Sequence, residues 1–282
     1  MNTEQIVHLN GRFVPIADAK ISVLDRGFIY GDGVYEVVPV YRRKPFRMAQ
    51  HLTRLQYSLD GVRMRNPHTN AEWQRLVEDL IARQPFDDQA VYLQITRGVA
   101  KRDHAFPAGV EPTVFMMSNP LVVPSREQVE RGVAVVTADD NRWHRCDLKT
   151  TSLLGNVLMR QLAADAEALE TVMFRDGMLT EASASNVLVV IKGTVVAPPK
   201  DHLILPGITY DAALEFTQAA GVPFEIRPVT REEALGADEM WLSSSTKEVL
   251  AVTTLDGAPF AGGRPGSVFR RVHEAFQVAK RA

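Results

Sequence analysis

From Val34 to Tyr41 the chain reads Val-Tyr-Glu-Val-Val-Pro-Val-Tyr and then meets the polar turn Arg42-Arg43-Lys44. Such a run of β-branched and aromatic residues closed by polar ones predicts a strand. Pro39 has no amide hydrogen to offer a neighbour, which places that strand near a sheet edge. Leu52, Leu55, Leu59 and Val62 then recur at intervals of four or three, sharing one side of a helix whose other side carries Arg54 and Gln56. Trp73, Leu76, Val77, Leu80 and Ile81 predict a second helix, and strands are expected at 90–96 and 113–117. Together these form a first α+β unit.

Between Asn119 and Gly132 the chain becomes polar and proline-bearing, the composition of a linker. The organisation expected is a smaller N-terminal α+β domain over 1–120, a linker over 121–131 and a larger, β-rich α/β domain over 132–282. In the second part, strands are read at 133–137, 171–174, 184–191 and 194–197, with Asp176-Gly177 and Lys192-Gly193 at hairpin turns. Helices are read at about 153–168 and from Pro206-Gly207 to just before Gly221. Thr230 and Glu233 have capping-box spacing, and Val268, Phe269, Val272 and Phe276 mark a terminal amphipathic helix.

Charge narrows the partners. Against 32 Lys and Arg stand 34 Asp and Glu, a formal charge of -2, so there is no global positive field for nucleic acid or an acidic membrane. The single cysteine, Cys146, excludes an intrachain disulfide framework and a cysteine-rich metal site and suits a reducing compartment. No run approaches 18 apolar residues, and residues 1–17 are mixed and polar, so a cytoplasmic protein is expected.

Several segments carry candidate chemistry. In Asp25-Arg26-Gly27-Phe28-Ile29-Tyr30-Gly31-Asp32-Gly33 three glycines permit close backbone approaches, either to wrap a ligand edge or to build an elaborate turn. Their spacing matches no nucleotide phosphate loop. Lys149 lies in a block of reactive side chains from Trp143 to Thr151. An enclosed lysine can form a Schiff base with an aldehyde cofactor, although surface lysines are far commoner. His144 and Cys146, two apart with no third ligand nearby, predict no metal site. Pro206-Gly207-Ile208-Thr209 reads as a helix start whose free amides, with Thr209, suit a phosphate dianion; equally, it is ordinary helix capping. Arg54 could neutralise such a group, and Ser243 to Thr246 could add hydroxyls. Glu181 could face a pyridine nitrogen and keep the ring protonated, or simply sit solvated at a strand end.

Taken in order, DRGFIYGDGVYEVV, Arg54, the Lys149 block, TEASASN, LPGIT and SSSTKEV closely resemble the fold-type-IV (class IV) pyridoxal-phosphate family. That family contains D-amino-acid, branched-chain and some R-selective amine aminotransferases, and aminodeoxychorismate lyase. The match spans roughly 24–252. It implies a two-domain α+β fold with pyridoxal 5′-phosphate in the interdomain cleft. Lys149 would bind the cofactor covalently and shuttle a proton, Glu181 would pair with the pyridine nitrogen, and Arg54, Ile208, Thr209, Ser244 and Ser245 would hold the phosphate.

Within the family, Arg102-x-His104 together with Tyr35 looks like the carboxylate trap of the D-amino-acid aminotransferases. There the arginine and histidine enter the neighbouring subunit's pocket, which implies a homodimer. The activity expected is transamination between a D-amino acid, such as D-alanine or D-glutamate, and 2-oxoglutarate or pyruvate. A branched-chain L-amino-acid aminotransferase is the runner-up and an R-selective amine aminotransferase the third reading. From another class altogether comes a non-catalytic cofactor-binding or interaction protein.

Overall fold

The computed structural model describes residues 4–280. By contacts the chain divides into two compact units. One comprises the chain up to Leu121 together with Leu148–Leu153, and the other comprises Val122–Asp147 and the chain from Leu154.

The first unit opens with a hairpin of β1 (Ile6–Leu9) and β2 (Arg12–Pro15). Its turn residues Asn10 and Gly11 both have positive φ, 47° and 83°, the backbone that a two-residue hairpin loop demands. Then come α1 (Arg26–Tyr30), β3 (Gly33–Tyr41), β4 (Lys44–Pro45), α2 (Met48–Gly61), α3 (Asn70–Ala82), β5 (Gln89–Thr96) and β6 (Thr113–Pro120). The strands form a sheet in the order β2-β1-β6-β5-β3-β4. In β5, buried and half-buried residues mostly alternate, and the buried set, Val91, Leu93 and Ile95, shares a core with Leu55 and Leu59 of α2 and Trp73 and Val77 of α3. The spacings of three and four and of two thus meet at one interface. Trp73 is fully buried, so Trp73→Ala would cost about 3–5 kcal/mol.

β3 is next to last in its sheet, as Pro39 requires, and the proline carbonyl accepts from the Phe46 amide at 2.8 Å. The start of its outer side is covered by the extended segment Leu148–Leu153. The Tyr35 amide donates to the Lys149 carbonyl, and the Thr151 amide to the Gly33 carbonyl, both at 2.9 Å.

The second unit contains α4 (Arg126–Arg131), β7 (Val133–Asp139), α5 (Leu154–Asp165), β8 (Glu170–Arg175), β9 (Met178–Ala182), β10 (Asn186–Ile191), β11 (Thr194–Ala197), α6 (Ile208–Ala219), β12 (Phe224–Ile226), α7 (Arg231–Leu235), β13 (Glu239–Ser244), β14 (Glu248–Leu255), β15 (Ala258–Pro259) and α8 (Ser267–Ala279). Its sheet runs β12-β11-β10-β13-β14-β7-β8-β9, with β15 beside β14. β10, β13 and β14 are buried almost throughout, because both faces are covered. Val187, Val189, Met240 and Leu242 enter one core. Their alternates Leu188, Val190 and Trp241 enter another, against Tyr210 of α6 and Phe269 of α8.

The polar stretch expected as a linker contains α4. Ser125 and Gln128 form a reciprocal capping box there, which satisfies two exposed amides and starts a short helix. Among the described residues no helix is long and apolar enough to cross a membrane.

Candidate active site

In the first unit the site is built on β3, whose successive side chains point to opposite faces. Tyr35 lies beside the Lys149 segment, and the Lys149 Nζ sits 4.0 Å from the Tyr35 ring centroid. The Lys149 main chain is fixed from both directions, its carbonyl by Tyr35 and its amide by the Ser58 Oγ of α2 at 3.1 Å. Among the described residues the Lys149 amine has no carboxylate partner, so its capacity for chemistry is not spent on an ion pair. Tyr35 packs on Tyr92 with centroids 5.6 Å apart. Burial and then the neighbouring Tyr35 push the Tyr92 phenol up to about 12.

Glu36 points to the other face of β3 and is buried. It accepts from Arg54 twice, Nε to Oε1 at 2.7 Å and a terminal nitrogen to Oε2 at 2.8 Å, and it lies 2.7 Å from His51 Nδ1. Burial by itself would raise this carboxyl, but the charge and hydrogen bonds of Arg54, with the hydrogen bond of His51, hold it far below the usual carboxylate range. Burial likewise lowers His51 against the pull of Glu36, so near neutral pH the imidazole is uncharged. Its Nδ1 then carries the proton donated to Glu36, while Nε2 is buried with no partner. Glu36 therefore aims the planar Arg54 fork.

Arg102 and His104 lie exposed on the irregular stretch between β5 and β6. Both are gathered at Tyr30, the Arg102 guanidinium 5.5 Å and the His104 ring 5.5 Å from its centroid. The ring and cation contacts of Tyr35 are instead with Tyr92 and Lys149. Within one chain the three expected trap residues thus fall into two groups.

In the second unit Glu181, on β9, is buried. Its Oε1 accepts from Arg142 at 2.6 Å, and its Oε2 accepts from the Leu205 amide at 3.0 Å and from Asn186 Nδ2 at 3.2 Å. Burial pushes its carboxyl up despite the Arg142 charge, so the site favours any further positive partner for it. Arg142 also forks onto Asp140, at 3.0 and 2.8 Å, and Asp140 in turn pairs with Arg175 at 3.0 Å and accepts from Thr180 Oγ1 at 2.9 Å.

Asn186 ties Glu181 to the helix start. Its Nδ2 also donates to the Leu205 carbonyl at 2.8 Å, and a Cβ on Gly207 would come within 2.0 Å of its Oδ1. Only glycine fits there. α6 begins at Ile208 with no side-chain cap, so the amides of its first turn, at Ile208 and Thr209, remain available to a ligand. Asn186 pairs with Ser243 across β10 and β13, and the Ser243 hydroxyl is buried without a partner. Ser244 accepts from the Lys247 amide at 3.2 Å, and Ser245 follows it in the turn. Buried Glu170 binds both flanking loops, accepting from the Ala184 amide at 2.9 Å, Ser185 Oγ at 2.7 Å, Lys247 Nζ at 2.7 Å and Ser183 Oγ.

Each unit by itself carries groups suited to a phosphorylated pyridine aldehyde: in the first an unpaired lysine and an oriented arginine, in the second uncapped helix amides, an orphaned hydroxyl and a buried acid held upright by Arg142. Glu36, His51, Arg142 and Asp140 were not singled out in the sequence. Their partners lie 18 and 39 residues away for the Glu36–Arg54 and Arg142–Glu181 pairs, and such separations leave no local pattern. Cys146 is a buried thiol turned to the Trp143 carbonyl at 3.1 Å, and burial pushes it up to about 11, which makes it inert.

Known proteins match this chain over nearly its whole length. The family description Amino-transferase class IV matches residues 33–255. A D-alanine aminotransferase from Bacillus licheniformis is 38% identical over 271 residues, 96% of this chain and 95% of that protein. One from Listeria monocytogenes serotype 4b is 36% identical over 272 residues, covering 96% and 94%. Among solved structures, the Escherichia coli branched-chain amino acid aminotransferase superposes with a TM-score of 0.92 at 25% identity, over 98% of this chain and 94% of that one.

Proposed function

The chain belongs to the class IV aminotransferase family, and we propose that it exchanges an amino group between a D-amino acid, such as D-alanine or D-glutamate, and 2-oxoglutarate or pyruvate. Its cofactor is pyridoxal 5′-phosphate. The observation that carries the reading is the Lys149 amine, held from both sides of its backbone, unpaired, and set against Tyr35.

When bound, the cofactor supplies an aldehyde and an electron-withdrawing ring that takes up the electron pair left as the substrate's Cα–H bond breaks. Lys149 would hold it through Nζ, and the same amine would take the proton from the substrate's Cα on one face only. That geometry selects the hand of the substrate. Glu181, kept in place by Arg142, Asn186 and the Leu205 amide, would pair with the ring nitrogen and favour its protonated form. Arg54, aimed by Glu36, would hold the phosphate together with the amides of Ile208 and Thr209 and the hydroxyls of Ser244 and Ser245. Arg102, His104 and Tyr35 take the substrate carboxylate, Arg102 as a charge-assisted clamp.

The separation of Arg102 and His104 from Tyr35 within one chain supports their acting in a second copy, and hence a homodimer. A further support is the apolar stripe left exposed on α5, where Leu154, Leu158 and Leu162 stand 72%, 57% and 47% accessible at four-residue intervals. We place the protein in the cytoplasm, where Cys146 stays a thiol.

The test presents both enantiomers of alanine, glutamate, leucine and 1-phenylethylamine with 2-oxoglutarate or pyruvate and measures the keto product. D-Alanine and D-glutamate should be consumed. Prompt turnover of L-leucine with little of D-alanine would replace this reading with the branched-chain one.

A further inference from the structure

The glycine-rich segment Asp25–Gly33 meets Arg102 and His104 through Tyr30, and it also contains buried charge. Arg26 is 4% exposed. Its Nε donates to Asp32 Oδ2 at 2.8 Å, and one terminal nitrogen donates to the carbonyls of Asp103 at 2.5 Å and Ala105 at 3.4 Å. Those two carbonyls flank His104. The same Asp32 oxygen accepts from Arg97 Nε at 2.8 Å. Arg97 donates to the carbonyls of Val62 and Arg63 at the end of α2, and its guanidinium lies 3.8 Å over the Phe106 ring.

One carboxylate thus orders two arginines, and the two arginines hold the loop between β5 and β6 at its middle and at Phe106. Tyr30 completes the arrangement. The Arg26 guanidinium is 4.8 Å from its ring centroid, and the same ring meets Arg102 and His104. The loop base is fastened as well, by the Arg26 amide to the Gly98 carbonyl at 2.9 Å. An irregular stretch of this length would otherwise sample many conformations and spread its side chains over them. Here the main chain on both sides of His104 is tied to one buried guanidinium.

We propose that Arg26, ordered by Asp32, is a positioning residue for substrate recognition: it fixes the 98–106 loop so that Arg102 and His104 meet the substrate carboxylate in one geometry. This rests on the reading of those two residues as the carboxylate trap. The glycine-rich segment is then the mount of the recognition loop, and Gly27 serves that mount, because a Cβ there would collide with Thr96 at 2.2 Å.

The test compares Arg26→Gln, Arg102→Ala and the double variant, all as holoenzymes. Losing hydrogen bonds from a charged donor to the loop should raise KM for D-alanine and for 2-oxoglutarate about tenfold. kcat and the cofactor absorbance should stay near wild type, and hydrogen exchange should speed up at the amides of 99–106 alone. In the Arg102→Ala background, Arg26→Gln should add little further rise in KM, because the group it positions is gone. Unchanged exchange in the loop, or a full multiplicative effect in the double variant, overturns the proposal. Faster exchange in Arg26→Gln combined with an unchanged KM in Arg102→Ala overturns instead the carboxylate-trap reading beneath it. Should Arg26→Gln fold poorly, Tyr30→Leu removes the ring under Arg102 and His104 while leaving Arg26, Asp32 and Arg97 in place, and must raise KM with the same sparing of kcat.

Discussion

Replacing Glu36 by glutamine tests how Arg54, the arginine proposed to bind phosphate, is held. Glu36 and Arg54 are 2% and 7% exposed, so the substitution leaves a buried guanidinium without its counter-charge, a loss of about 3–5 kcal/mol. The new amide keeps one carbonyl acceptor for Arg54 and so places the loss near the lower end, about 3 kcal/mol. In a chain of this size that corresponds to an unfolding midpoint lower by roughly 6–12 °C. Thermal unfolding of the cofactor-free protein, followed by circular dichroism near neutral pH, measures it. The acid side gives a second reading. Because His51 is lowered by burial, the unfolded chain takes a proton there below about 6.5 that the folded chain refuses, so stability falls with pH from that point. Because Glu36 is lowered as well, its contribution is complete above about 4.5 and fades as pH falls toward its folded value, which steepens the decline in wild type. The glutamine variant should lack this steepening. A loss below about 1 kcal/mol at neutral pH, the value of an exposed pair, would show that Glu36 does not carry Arg54.

Gly207→Ala forces a Cβ to within 2.0 Å of Asn186 Oδ1, and Asn186 is itself fixed by Glu181 and Leu205. The start of α6 must shift, costing about 1–3 kcal/mol, and cofactor titration should show at least about tenfold weaker retention. Equal retention would remove the helix start from phosphate binding. Glu181→Gln should lower kcat by on the order of a hundredfold while the protein still binds cofactor, read by turnover against absorbance. A kcat within a few-fold of wild type would exclude the proposed partnership with the ring nitrogen.

The parts of the fold legible in the sequence were those with one buried face or with a marked turn beside them. α2, α3 and α8 announce themselves by leucine, valine and aromatic spacing, and β3 and β5 by β-branched runs. β13 and β14 have both faces covered, which turns a period of two into an unbroken apolar run, and they lack a turn like Lys192-Gly193, which marks β10 and β11 in the same sheet. The first hairpin did carry a signal, Asn10-Gly11, the dipeptide that a positive-φ turn selects, and α4 carried its Ser125–Gln128 capping box. At the site, Lys149, Arg54 and Glu181 were visible through the resemblance. The groups that orient the last two were not, since Glu36 and Arg142 act across strands and faces that only folding brings together. Arg26 lay in plain view within the glycine-rich motif, but its partners are carbonyls 77 and 79 residues on, and main-chain acceptors leave no mark on a sequence.

The account depends on one side chain above all. Borohydride reduction of the cofactor-loaded protein, followed by proteolysis and mass spectrometry of the peptides, identifies the amine that holds the pyridoxyl group. The mass increment should fall on Lys149 alone and be absent from Lys149→Ala. An increment on Lys101, Lys247 or any other lysine, or none on the loaded wild-type protein, would contradict the account.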